Sequence, residues 1–128
     1  MKILAIDDDT AMTDLLRLTL ETKLDIITTN SSLEAVQKVK EQTPDLILLD
    51  LMMEDMDGWE VCKLIREFSK IPILILSALD SPGLVATALD AGADDYLIKP
   101  VASGVLMAHI QRLVRRGQVF PSIAVSPI

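Results

Sequence analysis

Four polar groups sit where a folding argument alone does not need them. Asp7, Asp8 and Asp9 follow the apolar run Ile3 to Ile6, Asp50 follows Leu46 to Leu49, Ser77 follows Ile73 to Leu76, and Lys99 follows Tyr96 to Ile98. Singly, each has an ordinary explanation: acids favour a helix start, serine suits a turn, and an exposed lysine is solvated. Brought to one place they describe a chemistry. Two carboxylates ~4 Å apart at an effective dielectric of about 20 repel by about 4 kcal/mol, so such a cluster calls for a cation. An all-oxygen set suits a hard divalent ion such as Mg2+, which takes one or two carboxylates together with waters and phosphate oxygens. A lysine and a hydroxyl opposite are the groups a phosphoryl oxygen would take. Carboxylates, Mg2+, hydroxyl and lysine together point to phosphoryl transfer. Asp50 stands alone in its loop and is the best nucleophile, whereas Asp7 and Asp8 are adjacent and better placed to hold metal.

The elements that must position these residues are legible as alternating apolar runs and helical patterns. The predicted strands are Ile3 to Ile6, Asp25 to Thr28, Leu46 to Leu49, Ile73 to Leu76 and Tyr96 to Ile98. The first helix runs from Thr10, a possible N-cap, to about Thr22, with Met12, Leu15, Leu16 and Leu20 on one face. Ser31 with Glu34 forms a capping box for the second, which runs through the apolar positions Leu33, Val36 and Val39 and ends before Pro44. Asp57-Gly58 reads as a turn before a helix from Trp59 to Phe68. Ser81-Pro82 opens a helix that stops at Gly92, and Leu106 to Arg116 forms the last. Apolar strands alternating with helices predict a parallel sheet covered on both faces, with ligands beyond the carboxyl ends of the strands.

Composition narrows the function. The 128 residues fit one domain with one core, half of them apolar. No apolar run approaches the ~18 residues of a bilayer span, and three acids interrupt the start before it could serve as a signal peptide. The expectation is a cytoplasmic protein with no membrane partner. The single cysteine, Cys62, excludes an internal disulfide and a Cys-based metal site, and reads as a small buried hydrophobe. A formal net charge of −7 excludes a nucleic-acid grip by this domain itself, so any DNA role would belong to another module.

The motifs IDDDT at 6–10, LLDLMMEDMDGWE at 48–60, ILSA at 75–78 and GADDYLIKP at 92–100 resemble those of the receiver domain of two-component response regulators. The resemblance covers residues 2 to 116, nearly the whole chain, and implies a flavodoxin-like doubly wound α/β fold with a five-stranded parallel sheet in the order 2-1-3-4-5. It further implies that Asp50 is the phosphoacceptor, that Asp8, Asp50 and the Met52 carbonyl bind Mg2+ directly, and that Asp7 acts through water. Ser77 would be the switch hydroxyl, Tyr96 the switch aromatic and Lys99 the phosphate-pairing lysine. Pro100 would follow a cis peptide. Two positions depart from the family: Glu54 stands where proline is usual, and Val101 where phenylalanine is usual.

The implied function is a phosphoacceptor switch served by a sensor histidine kinase, catalysing only its own phosphorylation and dephosphorylation. GADDYLIKP and the LVRR ending at Arg116 resemble the branch with a winged-helix DNA-binding output, so residues 117–128 would be a linker to such a domain or a tail. That branch implies a homodimer in the phosphorylated state, formed by the fourth helix, fifth strand and fifth helix. Here Val85 and Val105 replace a common basic and acidic pair, and His109 replaces arginine. Helical spacing puts Val105, His109, Arg112 and Arg116 on one face of the last helix and Leu106, Ile110 and Leu113 on the buried one. On the fourth helix Leu84 and Val85 are expected outward, Ala86 and Leu89 in the core. Two other readings stay open. Asp7 and Asp9 have the two-apart spacing of haloacid-dehalogenase-type phosphatases, against which stand Ala11 and the lack of room for a cap. A pseudo-receiver that only binds partners is the other, against which stands the intact Asp7, Asp8, Asp50, Ser77 and Lys99 set.

Overall fold

The computed structural model describes residues 1–117, and the expected linker or tail lies outside the described residues except for Gly117. The order is β1 (Lys2–Ile6), α1 (Thr10–Leu20), β2 (Asp25–Thr29), α2 (Ser32–Gln42), β3 (Leu46–Leu49), α3 (Gly58–Arg66), β4 (Ile73–Ser77), α4 (Pro82–Asp90), β5 (Asp95–Ile98) and α5 (Ser103–Gly117). The strands pair in parallel as β2-β1-β3-β4-β5, the order the resemblance implies. Successive side chains of a strand face opposite sides, and the core divides accordingly. Leu4, Ile6, Ile47, Leu49, Ile73 and Ile75 meet α2, α3 and α4 on one face, while Ile3, Ala5, Leu46, Leu48, Leu74 and Leu76 meet α1 and α5 on the other. With both faces covered, the central strands are apolar from Ile3 to Ile6, Leu46 to Leu49 and Ile73 to Leu76.

Three local expectations are corrected. Asp9, not Thr10, caps α1, its carboxylate accepting from the Ala11 N–H at 3.0 Å. Leu15 and Leu33 lie outside the core at 55% and 66% exposure. On α4, Ala86 and Leu89 are exposed, Leu84 and Val85 are half-buried, and Ala88 is the buried residue. The helix PGLVATALD offers apolar residues on every side, so its phase is set by close approach, and the small Ala88 lets it pack into the core cluster that includes Cys62 and Ile65. Ser31 caps α2 as expected, by accepting from the Glu34 N–H at 3.3 Å. Asp57-Gly58 is a helix start, with the Asp57 carboxylate accepting from the Glu60 N–H at 2.9 Å. On α5, Leu106, Ile110 and Leu113 are buried and Val105 is exposed, as spacing requires. Among the described residues no helix is long and apolar enough to cross a membrane.

Candidate functional site

Sheet register assembles the site. The Asp50 N–H donates to the Ile6 carbonyl at 3.0 Å and the Asp7 N–H to the Thr29 carbonyl at 3.2 Å, which continues the β1 pairing one step past both strands. Asp7, Asp8 and Asp50 therefore converge, each offering a carboxylate oxygen within 4.8 Å of the other two. Asp9, expected nearby, turns away to cap α1, which removes the two-apart acid pair on which the phosphatase reading rested. On the other side the Lys99 N–H donates to the Ser77 carbonyl at 2.8 Å, tying the ends of β4 and β5 together.

Each carboxylate has its own donors. Asp7 Oδ1 accepts from the Asp9 N–H at 2.9 Å and Oδ2 from Lys99 Nζ at 2.8 Å. This ion pair is largely sheltered, with the two side chains 17% and 5% exposed. Asp50 is buried and Ser77 beside it fully so, and the Met52 N–H and the Ser77 hydroxyl favour its charged form. Burial pushes the Asp50 carboxyl above the usual carboxylate range; Lys99 opposes this and the nearby Asp7 charge adds to it. Asp8 Oδ2 accepts from the Glu54 N–H at 3.2 Å. Lys99 is thus the sole cation among these groups and is already committed to Asp7. Three hard oxygen donors facing one another with that single lysine fit a divalent cation: they leave the negative excess that such an ion neutralises.

The remaining expected residues lie around this centre. The Ser77 hydroxyl oxygen accepts from the Leu79 N–H at 3.3 Å, and the Tyr96 hydroxyl donates to the Leu79 carbonyl at 2.7 Å. Tyr96 is half-buried, and burial pushes its phenol up, with the charges of Asp50 and Asp80 acting the same way. Met52 is exposed at the rim. Val85, Val105 and His109 are apart from the acids, on the α4–β5–α5 side; His109 Nδ1 lies 2.6 Å and Arg112 2.5 Å from Asp95. A largely apolar cleft of about 570 Å³ runs beside Lys99 between α1 and α5, and of the three acids Asp8 opens instead into a shallower one of about 380 Å³, lined also by Asn30, Glu54 and Asp55.

Asn30 and Asp55 carried no signal in the sequence. Asn30 Nδ2 donates to the Asp7 carbonyl at 2.7 Å and to Thr13 Oγ1 at 3.1 Å, bracing the acidic turn. Asp55 accepts from Ser31 Oγ at 3.0 Å, from Ser32 Oγ, and from the Leu33 N–H at 3.3 Å, so the β3–α3 loop is fastened to the start of α2. These donors, Ser32 foremost, hold the Asp55 carboxyl at about 2. Only the paired serines at 31 and 32 hinted at a further cap, and nothing local named an acid more than twenty residues away as its partner.

Comparison with known proteins agrees with this geometry. Residues 3–111 match the response regulator receiver domain family. The chain is 44% identical over 118 residues to Response regulator MprA of Mycobacterium leprae (strain TN), covering 91% of this chain and 52% of that protein. It is 38% identical over 120 residues to the Alkaline phosphatase synthesis transcriptional regulatory protein PhoP of Bacillus subtilis (strain 168), covering 92% and 50%. The chain therefore spans about half the length of these curated relatives. Among solved structures, a two-component response regulator from Clostridium difficile superposes with a TM-score of 0.88 at 35% identity, covering 93% of this chain and 99% of that one. The BeF3-activated N-terminal receiver domain of Klebsiella pneumoniae RstA gives 0.86 at 30% identity, covering 90% and 99%. With the family match over residues 3–111 and 44% identity to a response regulator across 91% of its own length, the chain belongs to the response regulator receiver domain family.

Proposed function

We propose that this domain is a switch that takes a phosphoryl group onto Asp50 from a phosphohistidine of a sensor histidine kinase. The observation that carries the reading is the convergence of Asp7, Asp8 and Asp50 with Ser77 and Lys99 at one end of one sheet. An Asp50 carboxylate oxygen forms the new P–O bond while the P–N bond to the donor imidazole breaks and its electron pair stays with the ring nitrogen. Asp8, Asp50 and the Met52 carbonyl, with Asp7 through water, would hold Mg2+, which when bound supplies positive charge to the phosphoryl oxygens. Lys99 moves its ammonium from Asp7 toward a phosphoryl oxygen, and the Ser77 hydroxyl donates to another. That displacement draws on the Ser77–Leu79–Tyr96 hydrogen bonds, so Tyr96 is the element through which α4, β5 and α5 feel the reaction.

The domain turns over no separate substrate and acts on itself alone. In the phosphorylated state it forms a homodimer through the α4–β5–α5 side, which includes Val85, Val105 and His109. It governs an output domain in the full-length protein, a DNA-binding one acting in transcription, in the cytoplasm. The names of the relatives and the half-length match support that longer protein. The nucleophile is tested by the linkage formed. Chain labelled with acetyl phosphate and Mg2+ loses its phosphoryl group to neutral hydroxylamine, leaving a hydroxamate at Asp50, because an acyl phosphate is open to such attack. Label that survives hydroxylamine and maps to Ser77 would overturn the assignment.

A further inference from the structure

The three acids differ in how they are held. Asp7 is bound by Lys99 and by its own turn, and Asp50 is buried with the Met52 N–H and the Ser77 hydroxyl favouring its charged form. Among the described residues Asp8 makes one hydrogen bond with its carboxylate, and the donor is the Glu54 N–H at 3.2 Å. That donor is itself fixed, because the next residue, Asp55, is fastened to Ser31, Ser32 and Leu33 at the start of α2. A proline, usual in the family at this position, has no N–H to give, so the tether belongs to this chain and to the departure at residue 54.

We infer that Glu54 is a positioning residue for the cation: its backbone N–H holds the Asp8 carboxylate aimed at the cluster before the ion arrives. The inference rests on the reading of the acid cluster as a Mg2+ site. The N–H occupies one lone pair of Oδ2, and a carboxylate has about four acceptor positions, so Oδ1 stays free to ligate. A carboxylate already fixed loses less rotamer freedom on binding, which is how preorganisation raises affinity. The Glu54 side chain acts differently. It is exposed and lines the cleft outside Asp8, where its charge attracts any cation over a distance that salt screens.

The two contributions separate in calorimetric Mg2+ titrations of the whole chain at low ionic strength and in about 0.5 M KCl, where the screening length falls to about 4 Å. Glu54→Pro removes the N–H and the charge together and is expected to weaken Mg2+ binding about fivefold in high salt, the cost of ordering one side chain, and by more at low ionic strength. Glu54→Ala keeps the N–H and is expected to bind within about twofold of wild type in high salt. Glu54→Pro binding as tightly as wild type in high salt, or Glu54→Ala weakening as much as Glu54→Pro there, overturns the inference. A second measurement needs no proline: in the metal-free wild type the Glu54 amide proton is expected to exchange slowly, and Asp8→Ala to release it. Exchange at the unprotected rate in wild type also overturns it. Wild type that binds no Mg2+ at all refutes the metal-site reading and this inference with it, whereas normal wild-type binding beside an unaffected Glu54→Pro refutes this inference alone.

Discussion

Asp50 is a buried carboxylate next to a second one, an arrangement that works against folding. Its proton affinity is raised in the folded chain, first by burial. The folded state therefore binds protons more readily than the unfolded one, and stability falls as pH rises through the folded value. Without metal, Asp50→Asn is expected to raise the Tm of the domain at neutral pH. The gain disappears as the pH is lowered until Asp50 is protonated in both states. Mg2+ should then raise the Tm of wild type more than that of the variant. Thermal melts across pH, with and without Mg2+, check both expectations, and a destabilised Asp50→Asn at neutral pH would contradict them.

At the scale of elements, the β3–α3 loop is held at both ends, and Gly58 shows how tightly. A Cβ there would meet the Asp50 carbonyl oxygen and come within 2.7 Å of Leu51 Cα, both of them backbone. Gly58→Ala is expected to cost about 1–3 kcal/mol, as overpacking does, and to weaken Mg2+ binding by displacing the strand end that carries Asp50. A denaturant melt and a Mg2+ titration check this. The α4–β5–α5 side presents Leu89, Ile98 and Val105 to solvent, each more than 40% exposed. Asp95, the acid that β5 puts on that side, is already taken by His109 and Arg112 of the same chain. An activated homodimer formed there is expected to rest on apolar burial and to respond weakly to salt, since screening acts on exposed charges. The dissociation constant of the beryllofluoride-treated domain across a salt series checks it. Steep weakening with salt, or a monomer throughout, contradicts it.

The whole molecule shows why part of this was legible in the sequence and part was not. Buried parallel strands must be apolar to their ends, so Asp7, Asp50, Ser77 and Lys99 stood out as interruptions, and the sheet order placed them together. The α4 phase was not legible, because a small residue, Ala88, packs inward where size alone favours Leu89. Nor were the tethers from Glu54 to Asp8 and from Asp55 to Ser31 and Ser32. They join residues 46 and 24 or 23 positions apart through a backbone N–H and loop geometry that no local pattern encodes. Those tethers serve the central claim, that Asp50 alone takes the phosphoryl group and needs the cation site to do so. Intact mass after incubation with acetyl phosphate tests that claim most directly, comparing wild type with and without Mg2+ and Asp50→Asn with Mg2+. Wild type is predicted to gain one phosphoryl group only when Mg2+ is present, and Asp50→Asn none. A phosphoryl gain by Asp50→Asn, or by wild type stripped of divalent ions, would contradict it.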